Sequence, residues 1–537
     1  MSDQVAHRTS VLVVGGSLTG LSSAVFLAWH GVPCVVVERH PDLLMHPRLR
    51  GIGPRTVEAY RQVGLEPAIK RASYAEEAVW SPIRANTLAD DEYAAVDEPE
   101  VDDDDPVNAS PVAFGAIDQD QLELILRSRA LELGADLRFA TEMLSFEQDD
   151  ERVRAVVQDR KSGESYTIEA DYMIAADGWA SPIRNKLGIE VDGPGALFHT
   201  ITAMVDADLN PATRGRRVSI AYLQQPQPFT VIMTHDNDGK RWLFGTGYSP
   251  EHESPADFTD ERVADMVRAA AGLPDLEVRL RPQIPGTDIK ILGFSIGGQL
   301  ARRYRVGRIF LVGDAAHLVP PTGGLGGNAG VQDAQNLGWK LAAVLRGVAG
   351  PGLLDSYEEE RRPVGQLTME QALARFGDRM GPGAELTLLP YSAVSTGYRY
   401  RSSVLVGPDH DGKPLPAGEL AGQVGTRAPH VEISQHDRES TIDLYGRNFV
   451  LLSGPADGAW VKAARAVADE FGVALDAYRL GVDLDAPDAL ARHALEPEGA
   501  ILVRPDGVVA WRSDTGPAGS DPGARLADAF RTILSRA

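Results

Sequence analysis

At 537 residues the chain exceeds the comfortable size of one hydrophobic core, so two or three domains are expected. Hydrophobic residues make up 43% and charged residues 24%. The count of 53 Lys+Arg against 76 Asp+Glu gives a formal charge of -23, which repels nucleic acid and anionic membrane surfaces. Cys34 is the only cysteine, which excludes an intramolecular disulfide, a Cys-rich zinc site and an internal CxxC redox pair.

The polar stretch Ser2 to Ser10 lacks the charged and apolar regions of a secretory signal, and no apolar run approaches the ~20 residues that span a bilayer. A cytoplasmic protein, monomer or homodimer, with no nucleic-acid or membrane partner is the expectation.

Ser10 to Val14 reads as a strand, Gly15 to Gly20 as a glycine-bearing turn, Leu21 to Trp29 as a helix and Pro33 to Val37 as a second strand. This opens a doubly wound α/β domain. In the GxGxxG pattern one glycine makes the turn, one admits a pyrophosphate and one permits tight helix packing; here Ser17 takes the middle place. Glu38 ends the second strand, where an acidic side chain can accept from an adenosine ribose.

Asp90 to Asp105 is densely acidic and reads as a solvated loop, because no calcium-loop spacing supports a metal site. Asp118 to Leu133 is helical in pattern. Ala175-Ala176-Asp177-Gly178 with Ser181 to Arg184 ends an apolar strand in a turn. From Ile189 to Gln299 the chain reads as strands: Thr200 to Val205, Val218 to Leu223, Phe229 to Thr234, Arg241 to Gly247 and Leu276 to Arg281. They suggest an antiparallel layer inserted into the α/β domain.

Phe310 to Asp314 is an apolar strand running into a small-residue turn, followed by the loop Pro320 to Asn328. Asp314 is placed to bond polyol hydroxyls, and the N–H groups from Gly324 to Asn328 can face a ligand at a helix start. His317 has no second histidine or carboxylate cluster at ligand spacing, so it reads as packed or solvated and no metal is expected. Helical patterning returns over Val331 to Val348 and Ser356 to Met380. In the tail, Thr441 to Tyr445, Phe449 to Ser453 and Gly499 to Arg504 read as strands, with helices over Ala459 to Phe471 and Gly523 to Leu534.

Together the three motifs, with Asp333 to Leu341 and Tyr357 to Pro363, resemble the single-component FAD-dependent aromatic hydroxylases, the para-hydroxybenzoate and phenol hydroxylase family. Within it they resemble the hydroxylases that tailor aromatic polyketides. The resemblance implies a discontinuous, glutathione-reductase-like FAD-binding domain (1–75, 108–188 and 300–395), a substrate domain (76–107 and 189–299) and a thioredoxin-like C-terminal domain (396–537). The last lacks CxxC and should be redox-inert.

It further implies that Gly15, Gly16, Ser17, Leu18, Thr19 and Gly20 meet the FAD pyrophosphate, with Glu38 and Arg39 at the ribose and Leu144 beside the adenine. Arg48 would touch the ribityl or flavin region and Gln119 the phosphates. Asp314 would hold the ribityl chain; Pro321, Gly324, Leu325, Gly326, Gly327 and Asn328 would cover the isoalloxazine. Asp177, with Arg184, would serve both FAD and NAD(P)H.

The implied reaction is hydroxylation of a polycyclic aromatic polyketide by NAD(P)H and O2, through a C4a-hydroperoxyflavin on non-covalent FAD. The chemistry is flavin-borne, so no side chain is nominated as catalytic acid or base. Phe229, Trp242, Phe244 and Phe294 are the candidate substrate contacts, beside Ile232 and Ile291. Family members often carry Trp before the Gly-Asp motif, where this chain reads Ile291 to Ile296. Baeyer–Villiger or multistep oxidative rearrangement of a polyketide quinone is the nearest alternative. A non-oxygenating FAD dehydrogenase and a flavin-binding regulatory protein stand further off, and the halogenase motif Trp-x-Trp-x-Ile-Pro is absent.

Overall fold

The computed structural model describes residues 7–44, 49–74, 82–96, 109–235, 239–380, 387–435, 438–456, 458–486, 488–514 and 521–536. Arg48 and the acidic residues 97–105 lie outside them.

The first sheet runs in the order Arg305–Val306, Ile309–Leu311, Ser165–Ala175, His7–Val14, Cys34–Glu38, Asp136–Phe139, with every neighbouring pair parallel except the first. Its central runs are apolar without alternation because residues of both parities are buried, as Val11, Leu12, Val13 and Val14 all are. Val11, Leu12 and Val35 share one core with Leu21 and Val25 of the helix Leu18–Trp29 and with Leu337 and Leu341 of the helix Leu325–Leu345. An antiparallel meander, Thr141–Gln148 and Val153–Asp159, runs into Ser165–Ala175. This is the doubly wound FAD-binding architecture. The first helix begins at Leu18, three residues before the expected Leu21, since the glycine turn closes sooner.

The second sheet has nine strands and is antiparallel apart from one pair, Ile220–Leu223 beside Pro82–Ala85. Its spine is longer than the pattern suggested: Val191–Asp206 runs 16 residues, flanked by Arg241–Tyr248 and by Ile291–Ala301. Leu276 to Arg281 shortens to the strand Arg279–Arg281.

The sheet's two faces have different fates because side chains alternate along each strand. Ile201, Ala203, Val205, Ile232, Trp242 and Phe244 point into a core with Val263, Val267 and Ala270 of the helix Asp260–Ala271. Thr202, Met204, Tyr222, Val231, Met233, Leu243, Leu292 and Phe294 take the opposite face by register.

The C-terminal sheet has the order Leu475–Arg479, Phe449–Ser453, Ala500–Val503, Val509–Ser513, with only the first pair parallel. The helices Ala459–Phe471 and Pro522–Ile533 pack together on one face, giving the thioredoxin-like layer. One strand expectation fails here: Thr441 to Tyr445 holds the single 3-10 turn Thr441–Leu444. Ser440 Oγ accepts from the Ile442 N–H and Asp443 accepts from the Ser440 N–H, a capping box that curls the segment.

Candidate active site

The first strand delivers Gly15 to the start of its helix with φ +110, and a Cβ there would stand 2.2 Å from the Ala176 carbonyl oxygen. Only glycine lets this turn close on the end of Ser165–Ala175, which carries the Asp177 motif. The Gly16 N–H donates to Glu38 Oε2 at 2.7 Å, and Glu38 Oε1 accepts from the His40 N–H at 2.9 Å. Arg39 stands exposed beside it.

Ser17 does not cap its own helix. Its hydroxyl donates to Glu123 Oε1 at 2.7 Å, which also accepts from the Leu18 N–H at 2.8 Å and from Gln119 Nε2 at 2.7 Å. Gln119 Nε2 also donates to Ser17 Oγ at 3.2 Å, which brings the two residues together. Their shared partner, the buried Glu123, was missed; its i,i+4 spacing from Gln119 on the helix Gln119–Glu132 was the available signal.

The strand Ile309–Leu311 leads to the one-turn segment Gly313–Ala315, which holds half-buried Asp314. The helix Leu325–Leu345 starts after Gly324, whose φ is +61, and no N-cap side chain closes it. A Cβ on Gly324 would meet nothing within 4 Å, whereas a Cβ on Gly326 or Gly327 would stand 2.7 Å from Val319 or 2.9 Å from Leu49, so the first turn packs closely behind its N-terminal glycine. First-turn N–H groups left uncapped are ready donors to an electron-rich ligand. Asn328 turns inward: its Oδ1 accepts from the Gly53 N–H at 2.9 Å and its Nδ2 donates to the Gly324 carbonyl at 2.7 Å.

Asp177 accepts from Ser181 Oγ at 2.6 Å and from the Ile183 N–H at 3.0 Å. Burial nevertheless pushes its carboxyl above the usual range, and burial also pulls the Arg184 guanidinium down. Arg184 donates to the Ala315 and Trp179 carbonyls at 3.0 Å each, so this motif buttresses the Asp314 turn. The Arg184 Nε is buried without a partner.

Leu144 is 52% exposed and is the extra residue of a bulge between Met143 and Ser145. Of the four substrate candidates, Phe229 and Phe294 remain accessible, at 40% and 36%. Phe229 has φ +68 and meets Phe198 edge to face at 5.3 Å. Trp242 and Phe244 are corrected: they are 3% and 0% exposed, and strand parity turns them into the helix-covered core, away from any ligand on the other face.

A polar cluster absent from the sequence reading joins the two sheets. Asp118 accepts from Arg50 Nε at 3.0 Å and Tyr74 Oη at 2.5 Å, and lies 2.7 Å from His235 Nδ1. Burial opposes its charge, yet His235 and Arg50 hold the carboxyl below the usual range. Asp118, Asp120 and His235 bring potential ligand atoms within 4.8 Å of one another, but Arg50 already neutralises Asp118. Arg50 also donates to the Ser219 carbonyl at 2.9 Å, just before the strand Ile220–Leu223 of the second sheet. Buried His317 lies 2.8 Å from Asp333, a carboxylate 16 residues away that spacing alone did not offer.

The glycine turn thus closes on the Asp177 motif, on Glu38 and, through Thr19, on the Gly313–Asp314 turn, bringing together the residue types that a dinucleotide site requires. The family described as FAD binding domain matches residues 8–372, and that described as aromatic-ring hydroxylase, C-terminal, matches 421–537. The chain is 41% identical to the tetracenomycin A2 monooxygenase-dioxygenase of Streptomyces glaucescens, over 99% of this chain and 97% of that one. It is 40% identical to the 4-methyl-5-nitrocatechol 5-monooxygenase of a Burkholderia species, over 98% of each. Aklavinone-11 hydroxylase, solved with FAD and aklavinone, superposes with a TM-score of 0.91 at 37% identity, covering 99% of this chain and 100% of that one. The chain belongs to the FAD-dependent aromatic-ring hydroxylases.

Proposed function

We propose that the protein is an NAD(P)H- and O2-dependent FAD monooxygenase that hydroxylates a polycyclic aromatic polyketide. The observation that carries the substrate class is the apolar sheet face opposite the helix Asp260–Ala271. Buried Leu243 and half-buried Val231, Met233 and Leu292 make that face apolar, with Phe294 and the Phe198–Phe229 pair at its accessible end. A flat multi-ring ligand buries such a surface, whereas a single ring would leave much of it wet.

When bound, FAD supplies the oxygen transfer. The chain's own work is binding and positioning: Gly15 to Gly20 and Glu38 hold the dinucleotide, Asp314 the ribityl chain, and Asp177 with Arg184 the turn beneath it. Domains 1–75, 108–188 and 300–395 hold FAD in this reading, 76–107 and 189–299 cover the substrate, and 396–537 buttress both. Arg48, outside the described residues, would touch the ribityl or flavin region in this reading.

Relatives of nearly equal identity act on a nitrocatechol and on a tetracenomycin, so substrate size has to be measured. Mass spectrometry of products under labelled O2, across polycyclic quinones and simple phenols, is the test. Higher kcat/KM for phenols would sink the polyketide reading and leave the monooxygenase intact. The relative named as a monooxygenase-dioxygenase favours a second reading, multistep oxidation, which predicts more than one labelled oxygen per product.

A further inference from the structure

The C-terminal unit has no cysteine, yet it is wired to the FAD-binding module through charges from which water is excluded. Arg504, 0% exposed, grips Glu360 through two nitrogens at 2.6 and 2.9 Å, and Asp506 at 3.0 and 2.6 Å. Glu360 also accepts from Lys340 Nζ at 2.8 Å, Asn336 Nδ2 at 2.7 Å and Ser402 Oγ at 2.8 Å. Burial opposes its charge, but Arg504 and Lys340 hold it ionised, far below the usual carboxylate range.

The next residue along the same helix, Arg361, donates from Nε to Asp333 Oδ1 at 2.6 Å, and from its two terminal nitrogens to Tyr400 Oη and the Ala329 carbonyl at 3.0 Å each. Asp333 Oδ2 accepts from the Gly313 N–H at 3.1 Å and lies 2.8 Å from His317 Nε2. Gly313 is the first residue of the turn that presents Asp314.

Fully buried ion pairs are a poor route to stability, because packed apolar residues of similar volume do as well or better. What this ladder provides instead is fixed geometry: forked guanidinium pairs tolerate little rotation. It runs from the C-terminal sheet to the flavin turn without a solvent-exposed link.

We propose that Arg504 is a positioning residue for the flavin, acting through Glu360, Arg361 and Asp333 on the Gly313–Asp314 turn. The inference rests on the FAD reading above. It gives the redox-inert C-terminal unit a role in the oxygenation: setting where the ribityl chain, and hence the reacting ring, is held.

The test uses full-length, FAD-saturated protein. Arg504→Lys keeps the charge but cannot fork to both carboxylates, and Asp333→Asn cuts the last link. Each should shift the midpoint potential and visible circular dichroism of bound FAD, raise the FAD dissociation constant by about three- to tenfold, and divert NAD(P)H electrons from product to peroxide. The double variant should be no worse than Asp333→Asn alone, because both act on one turn. Should Arg504→Lys fail to fold, Ser402→Ala removes one Glu360 contact and should shift the same spectra in the same direction to a smaller extent. Lowered thermal stability with unchanged potential and dichroism would overturn the inference and leave the ladder as a docking contact. So would additive effects in the double variant. Wild-type protein that holds no FAD would instead overturn the FAD reading on which this rests.

Discussion

Thr19 occupies the space that a side chain on Gly313 would need: a Cβ at Gly313 would lie 2.6 Å from Thr19 Oγ1. Thr19 lies in the first turn of the helix Leu18–Trp29, just after the glycine turn, and Gly313 in the turn that presents Asp314, some 290 residues later. The two halves of the cofactor cradle are therefore packed against each other through one hydroxyl and one missing methyl. Gly313→Ala should lower FAD affinity by about tenfold or more, since its φ of +57 adds backbone strain to the clash. Adding Thr19→Gly should recover part of the loss. Flavin fluorescence titration reads both, and an unaffected Gly313→Ala would show that the turns can separate without consequence.

Asp314→Ala removes a half-buried acceptor from the turn that Arg184 and Asp333 hold from either side. Losing such a hydrogen bond costs about 1–3 kcal/mol, roughly ten- to a hundredfold in affinity. Asp314→Asn, which keeps one acceptor oxygen, should lie between. Equal FAD affinity in all three proteins would remove Asp314 from the site.

The two faces of the second sheet predict opposite phenotypes for two phenylalanines. Phe244 is fully buried against Val263 and Val267, so Phe244→Ala should cost about 3–5 kcal/mol of stability. Phe294 sits one-third exposed on the other face, so Phe294→Ala should leave the melting temperature nearly unchanged and raise KM for a polycyclic substrate. Calorimetry beside steady-state kinetics separates them; a KM effect at Phe244 with an intact fold would reverse the assignment of faces.

Phe244 also shows where sequence reasoning stops. Alternation along Arg241–Tyr248 marks two faces, but nothing local says which one the helix Asp260–Ala271 will cover. The glycine turns, Glu38 and Asp314 were legible because a strand, a turn and a helix fix them within a few covalent neighbours. Glu123, His235 and Arg361 were not, because each finds its partner on another element: Ser17, Asp118 and Asp333 lie 106, 117 and 28 residues away. Thr441 to Tyr445 misled for a local reason, since a short apolar alternation was outweighed by the Ser440–Asp443 capping box.

Acid should loosen the C-terminal unit before it reaches the carboxylates. His493 is fully buried there; its Nδ1–H donates to the Ala489 carbonyl at 2.7 Å and its Nε2 has no partner. Burial holds its pKa at about 4, with Arg512 and Arg492 adding repulsion. Because the folded value lies below the ordinary 6.5, the unfolded chain takes up a proton first as pH falls. The neutral imidazole thus contributes stability that is fully present above pH 6.5 and is lost progressively as pH drops toward 4. At ~1.4 kcal/mol per unit the loss approaches about 3 kcal/mol. His30, at the junction with Arg346 and Arg447, is likewise held at about 4 by burial and adds to the same window. Urea unfolding at pH 7.5 and at pH 4.5, followed by the fluorescence of the packed Trp460–Trp511 pair, should show this drop. His493→Asn, which cannot titrate here, should show a distinctly smaller one. An equally steep fall in that variant would place the acid sensitivity elsewhere.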